Sequence, residues 1–119
     1  MLIVEGEHTH LSRKIEVKIY KTNFHYPYIR EETITDAGTG KFIINRMVAN
    51  HFSVCLPNDE TEESLKIKLN CNSIRLEKMG FFSRIHLDIS TDPINSLPDM
   101  IEKFRNIFPE CRPERDFLI

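Results

Sequence analysis

The run from Met79 to Glu110 constrains the fold more tightly than any other part of the chain. Phe81, Ser83, Ile85, Leu87 and Ile89 share one parity, while Phe82, Arg84, His86 and Asp88 share the other. Alternation of this kind is the mark of a half-buried strand. Thr91-Asp92-Pro93 ends it, because proline lacks the amide hydrogen a ladder needs. Ser96, Pro98 and Asp99 then resemble a helix start, with Ser96 as cap and Asp99 near the positive helix end. Leu97, Met100, Ile101, Phe104, Ile107 and Phe108 follow at helical spacing and form one apolar stripe, which predicts core. Pro109 stops the helix.

The rest of the chain reads mostly as strand. Leu2 to Val4 is a short apolar run broken by Glu5-Gly6-Glu7, and Lys14 to Tyr20 alternates, with Ile15, Val17 and Ile19 inward. The two are spaced to form a hairpin. Lys21 to Arg30 is irregular and aromatic, with Phe24, His25, Tyr26 and Tyr28 around Pro27, which argues against an inner strand. Glu31 to Asp36 is a further short strand, and Ala37-Gly38-Thr39-Gly40 is the strongest turn signal. Lys41 to Leu56 favours strand over helix, with a break near Asn50. Pro57 to Ser64 is an acidic loop. Leu65, Ile67, Leu69 and Cys71 alternate with Lys66, Lys68 and Asn70, so residues 65–89 are expected to form a three-stranded meander. Asn70-Cys71-Asn72-Ser73 and Lys78-Met79-Gly80 supply its turns. Phe117-Leu118-Ile119 is apolar and is expected to dock. The sum is a single α+β domain over residues 1–119. About six short strands form an antiparallel sheet, and one C-terminal amphipathic helix packs on one face.

Composition limits the function. The net charge of −2 gives no bulk attraction to nucleic acid or to an anionic membrane. No stretch is long enough to span a bilayer, and the N-terminal residues lack a basic region ahead of an apolar run. Three widely spaced cysteines, Cys55, Cys71 and Cys111, give no C-x-x-C motif and suggest free thiols in a reducing, cytoplasmic setting. Cys55 and Cys71 fall on apolar parity and are expected to be buried structural thiols. Cys111 follows a helix C-terminus, the wrong end to stabilise a thiolate. Gly38-Thr39-Gly40-Lys41 lacks the Walker spacing, and no nucleophile elbow or dinucleotide fingerprint is present.

Histidine chemistry is the one enzymatic option. His8 and His10 lie two apart, on one side of a strand, but a metal site needs further ligands that no spacing supplies. With His86 and either Arg84 or Lys66 they contain the parts of an acid–base ribonuclease. Against this stands a binding reading. The outward sheet face carries Lys14, Glu16, Lys18, Lys66, Lys68, Arg75, Glu77, Arg84, His86 and Asp88, with Tyr20 and Phe82 among them. Tyr26, Tyr28 and Arg30 add residue types common at interface centres. Basic and aromatic residues interleaved in this way suit RNA, yet they suit a protein partner equally well. The expectation is a small, non-catalytic protein-binding domain that inhibits or neutralises another macromolecule, as immunity proteins, antitoxins and phage-encoded inhibitors do. Its partner-binding residues are Tyr20, Tyr26, Tyr28, Arg30, Lys66, Lys68, Phe82, Arg84 and His86. No cofactor and no metal are expected, and the oligomeric state is left open.

Overall fold

The computed structural model describes residues 1–23 and 25–118. Phe24 and Ile119, singled out above, lie outside the described residues. Among those described, the chain forms seven β-strands and two α-helices, an α+β fold with an antiparallel sheet. The residues fall into two compact units, Met1–Ala49 with Phe117 onward, and Asn50–Asp116.

The first unit is a four-stranded antiparallel meander of β1 (Leu2–His10), β2 (Arg13–Lys21), β3 (Tyr28–Asp36) and the first part of β4 (Phe42–Val54). Glu5-Gly6-Glu7 does not break β1, which runs nine residues to a two-residue turn at Leu11-Ser12. The cross-strand hydrogen bonds of β2 override the weak local propensity of those residues. Opposite residues in an antiparallel ladder share a face. Ile19, Arg30 and Met47 therefore lie on one face, with Val17 and Glu32 in the next row. Lys14, Glu16, Lys18 and Tyr20 lie on the other, as the alternation predicts. Val17, Ile19 and Met47 are fully buried.

The turn at residues 37–40 forms as expected. Asp36 accepts hydrogen bonds from the Gly38 and Thr39 amides at 2.8 and 3.0 Å, which hold its carboxyl below the usual range. Gly40 has φ +72, a conformation that excludes most side chains.

The second unit contains α1 (Glu62–Lys68), β5 (Arg75–Lys78), β6 (Ser83–His86), α2 (Ser96–Ile107), β7 (Glu114–Phe117, all but its last residue) and the second part of β4. β6 lies between β4 and β5, and β7 also pairs with β4. One face presents Phe52, Ile85 and Leu76 in a row. Phe104 of α2 meets Phe52 at 5.7 Å and stacks on Phe108 at 4.7 Å. Leu97, Ile101 and Phe104 are buried as the stripe predicts, but Ile107 is exposed.

Four expectations are corrected here. Residues 62–68 are a helix, where a loop to Ser64 and a strand from Leu65 were expected. Thr61 and Ser64 form a reciprocal capping box, and Glu62 and Glu63 favour the helix N-terminus. The alternation of Leu65, Ile67 and Leu69 misleads because Leu65 and Leu69 are also four apart, on one helical face, and both are buried while Ile67 is exposed. β6 spans only four residues, so Phe81 lies outside it and is 99% exposed. Ser96 does not cap α2: its hydroxyl donates to the Asp92 carbonyl at 2.6 Å, and Asp92 accepts the Asn95 amide at 3.2 Å. Finally, β4 runs unbroken through Asn50. No described helix is long and apolar enough to cross a membrane.

Candidate functional site

Two regions carry the chemistry, one in each unit. In the second unit, the face opposite Phe52 is polar. The register sets His51 opposite His86, Ser53 opposite Arg84, and Arg84 opposite Glu77. Asp116, on β7, supplies the carboxylate at the centre. Its Oδ1 accepts the Ser53 hydroxyl at 2.7 Å, and its Oδ2 stands 2.6 Å from His51 Nε2 and 3.8 Å from Arg84 Nε. His86 Nε2 is 2.9 Å from Glu77 Oε1. The His51 and His86 rings meet edge to face at 5.0 Å. Burial disfavours the imidazolium of His51 and pushes its pKa down; Asp116 opposes that shift, while His86 and Arg84 reinforce it. A neutral ring with its proton on Nε2 suits the Asp116 contact. This cluster contains two carboxylate-supported imidazoles: His51 joins β4 to Asp116 of β7, and His86 joins β6 to Glu77 of β5.

Beside it lies a cleft of about 560 Å³ lined by Val54, Cys55, Phe82, Cys111 and Arg112 among others. Cys55 is exposed, contrary to the expectation of a buried thiol: it follows Val54, the buried last residue of β4. Burial, reinforced by Glu110, raises the Cys111 pKa, so this thiol is not activated for nucleophilic attack. No group of three or more His, Cys, Asp or Glu residues that could hold a metal ion occurs among the described residues.

In the first unit the notable surface is apolar. Phe42, Ile43 and Ile44 open β4 and are all exposed, Phe42 by 63%. Ile34 and Ile15 stand beside Ile43 in one row across the sheet, on the face opposite Phe42 and Ile44. Ser12 accepts the Ala37 amide at 2.9 Å, which ties the β1–β2 turn to the β3–β4 turn. Leu11 projects at that end of the sheet, 86% exposed, with φ +57. A branched apolar residue in the left-handed region is costly, by about 1–2 kcal/mol.

The expected binding residues are spread across both units. Tyr20 shares a face of β2 with Lys18, and Tyr26 and Tyr28 lie half-buried in and after the β2–β3 loop. Arg30, expected at the surface, is 3% exposed and paired with Glu32 at 3.4 Å. It shares the buried face with Ile19 and Met47, so it is not available as an anchor. Lys66 and Lys68, expected on a strand, lie on α1; Lys66 pairs with Glu62 at 3.6 Å, and Lys68 pairs with Glu60 and sits over the Phe108 ring. Phe82 lines the cleft, while Arg84 and His86 join the Asp116 cluster. His8 and His10 are exposed on β1 in the first unit, and His86 belongs to the second.

The sequence reading missed His51, Ser53 and Asp116, which are separated along the chain by up to 65 positions. Alternation with Phe52 and Val54 marks His51 and Ser53 as facing away from the core, but nothing local pairs them with Asp116. Comparison with protein-family models, with curated proteins and with solved structures gave no significant match.

Proposed function

We propose that the chain is a non-catalytic domain that binds another protein, as an inhibitor or neutraliser of the immunity-protein kind. One observation carries this reading: the first unit presents Leu11, Phe42, Ile43 and Ile44 to solvent at one end of its sheet, with Leu11 held in a strained turn. Ile43 lies on one face of the sheet and Phe42 and Ile44 on the other, so the end of the sheet is apolar on both sides. Exposed apolar surface marks interaction sites on soluble proteins. Strain that no internal contact repays is often retained for function. Tyr20, Tyr26 and Tyr28 stand at the opposite end of the same strands, a separate aromatic surface.

The test is an affinity capture from the native source with the wild-type chain and with Ile43→Asp. The expected result is one stoichiometric protein that the wild type retains and the variant loses, at unchanged melting temperature. Equal recovery by both would remove the apolar rim from the reading.

A second reading rests on the edge-to-face pair of His51 and His86 beside Arg84. Here the polar face of the second unit would act on a phosphodiester by acid–base catalysis. It requires RNA cleavage that His86→Ala abolishes. The burial of His51 favours the binding reading.

A further inference from the structure

We propose that β1 of the first unit takes up an extended basic segment of a partner protein as an added strand. This inference rests on the binding reading above and names a second surface for it.

β1 is the outermost strand of its sheet, and only β2 pairs with it. Its burial pattern is exposed at seven of nine positions, so nothing described covers it. An open edge is a template for another strand, and proteins usually blunt it with Lys, Pro, a bulge or an inward charge. β1 contains no Lys and no Pro. It has one irregularity, between Leu2 and Val4, and from Val4 to His10 the register runs without interruption. Seven residues of regular edge extend about 23 Å, enough for a partner strand of ordinary length.

The side chains of β1 choose the occupant. Glu5 and Glu7 point to one face, opposite Lys18 and Glu16 of β2. Lys14 reaches Glu7 at 3.4 Å and Glu16 at 3.3 Å. A cleft of about 320 Å³ opens here, lined by Glu5, Gly6, Glu7, Glu16, Val17 and Lys18. The edge strand itself carries two carboxylates and no Lys or Arg. A second copy of the chain is a poor occupant in the registers centred on Glu5, Gly6 or Glu7. A shorter register centred on His8 sets Glu7 opposite Thr9, and the self-association outcome below tests it. Antiparallel pairing about a two-fold axis sets residues of equal parity opposite one another. Centred on Glu5 or Glu7 it opposes a glutamate to its own copy, and centred on Gly6 it opposes Glu5 to Glu7 twice. Like charges directly opposite are destabilising. A strand with Lys or Arg at alternate positions reverses each of these contacts. On the other face Gly6 leaves its position open, so an apolar residue between the two cations finds room. The recognised pattern is cation, apolar, cation in an extended segment.

The probe is a synthetic peptide alternating Lys with Val, matched in length to β1 and labelled for fluorescence anisotropy. The expected result is binding to the wild-type chain, with amide shifts confined to residues 4–10 and their β2 partners. N-methylation of the peptide at one parity blocks its hydrogen bonds to β1 and abolishes binding; methylation at the other parity leaves it intact. Glu5→Gln with Glu7→Gln weakens binding about tenfold, with an unchanged melt because both residues are exposed. Equal binding by both methylated forms would overturn strand addition in favour of simple charge contact. No binding by the unmodified peptide, or self-association of the chain through β1, would also overturn it. The peptide tests this edge and the Ile43 variant tests the apolar rim, so either reading can fail without the other.

Discussion

In the second unit, α2 turns Leu97, Ile101 and Phe104 into the core, and Phe104 meets both Phe52 and Phe108. In the first, the opening residues of β4 turn Phe42, Ile43 and Ile44 outward, and Leu11 sits strained at a turn. Polar groups divide the same way. The second unit gathers His51, Ser53, Arg84 and Asp116 on one another, whereas the first leaves Glu5, Glu7, His8 and His10 exposed on a strand edge. A helix gives the second unit an apolar stripe to cover its sheet. The first unit is built of strands alone: it buries Val17, Ile19 and Met47 on one face, yet leaves the opening residues of β4 exposed. The physical lesson is that both units bury a core, but the large exposed apolar residues of β4 belong to the first.

The largest expected effect tests that division directly. Phe104→Ala removes a fully buried ring between two aromatic neighbours and should cost about 3–5 kcal/mol. Ile43→Ser, at an exposed site, should change stability by less than about 0.5 kcal/mol. Urea unfolding of both variants checks the contrast. A cost at Ile43 comparable to that at Phe104 would make the apolar rim a structural element and weaken its reading as a binding surface.

Asp116→Ala is next. It leaves the Ser53 hydroxyl and Arg84 guanidinium without their carboxylate and should cost about 2 kcal/mol. Amide exchange should speed up most in residues 114–117, because the carboxylate ties that strand to Ser53 and His51 of β4 in addition to the backbone ladder. Uniform acceleration across the chain would show that β7 is not a separable fastening.

The pH dependence is smaller and has a definite sign. Burial depresses the pKa of His51 below its ordinary value of 6.5. The folded chain therefore binds fewer protons there than the unfolded chain. The stability this group contributes is complete above pH 6.5 and is lost as pH falls through the depressed value. Melting temperature should drop from about pH 7.5 to about pH 5.5, and His51→Gln should flatten that slope. The carboxylates of Glu77 and Asp88, whose pKa values are lowered by His86 and Ser90, act in the same direction but in a lower window.

The contrast between the units also explains what could be read from the residues. α2 was legible because its stripe, Leu97 to Phe108, is contiguous and bounded by prolines. In the first unit β2 was legible from alternation at Ile15, Val17 and Ile19. The helix at residues 62–68 was not, because spacings of two and of four coincide at Leu65 and Leu69, and the capping signal at Thr61-x-x-Ser64 is polar and short. Nor was the continuation of β1 through Gly6, which depends on β2 beside it. Arg30 looked like an interface anchor because residue type says nothing of the face; the register with Ile19 and Met47 decides it. The Asp116 cluster joins three distant segments, and only the fold brings them together.

The smallest effect concerns Leu11. Asparagine visits the left-handed region more readily than leucine, since its short side chain can bond to the local backbone. Leu11→Asn should therefore raise stability, by up to about 1 kcal/mol, while removing an exposed apolar side chain. The two readouts have opposite signs if the turn is retained for contact: thermal stability rises and partner capture falls. If capture is unchanged and stability rises, Leu11 contributes nothing to binding, and the rim narrows to Phe42, Ile43 and Ile44. If stability falls, Leu11 has packing that its exposure does not suggest, and the first unit is less of a bare surface than its strands make it.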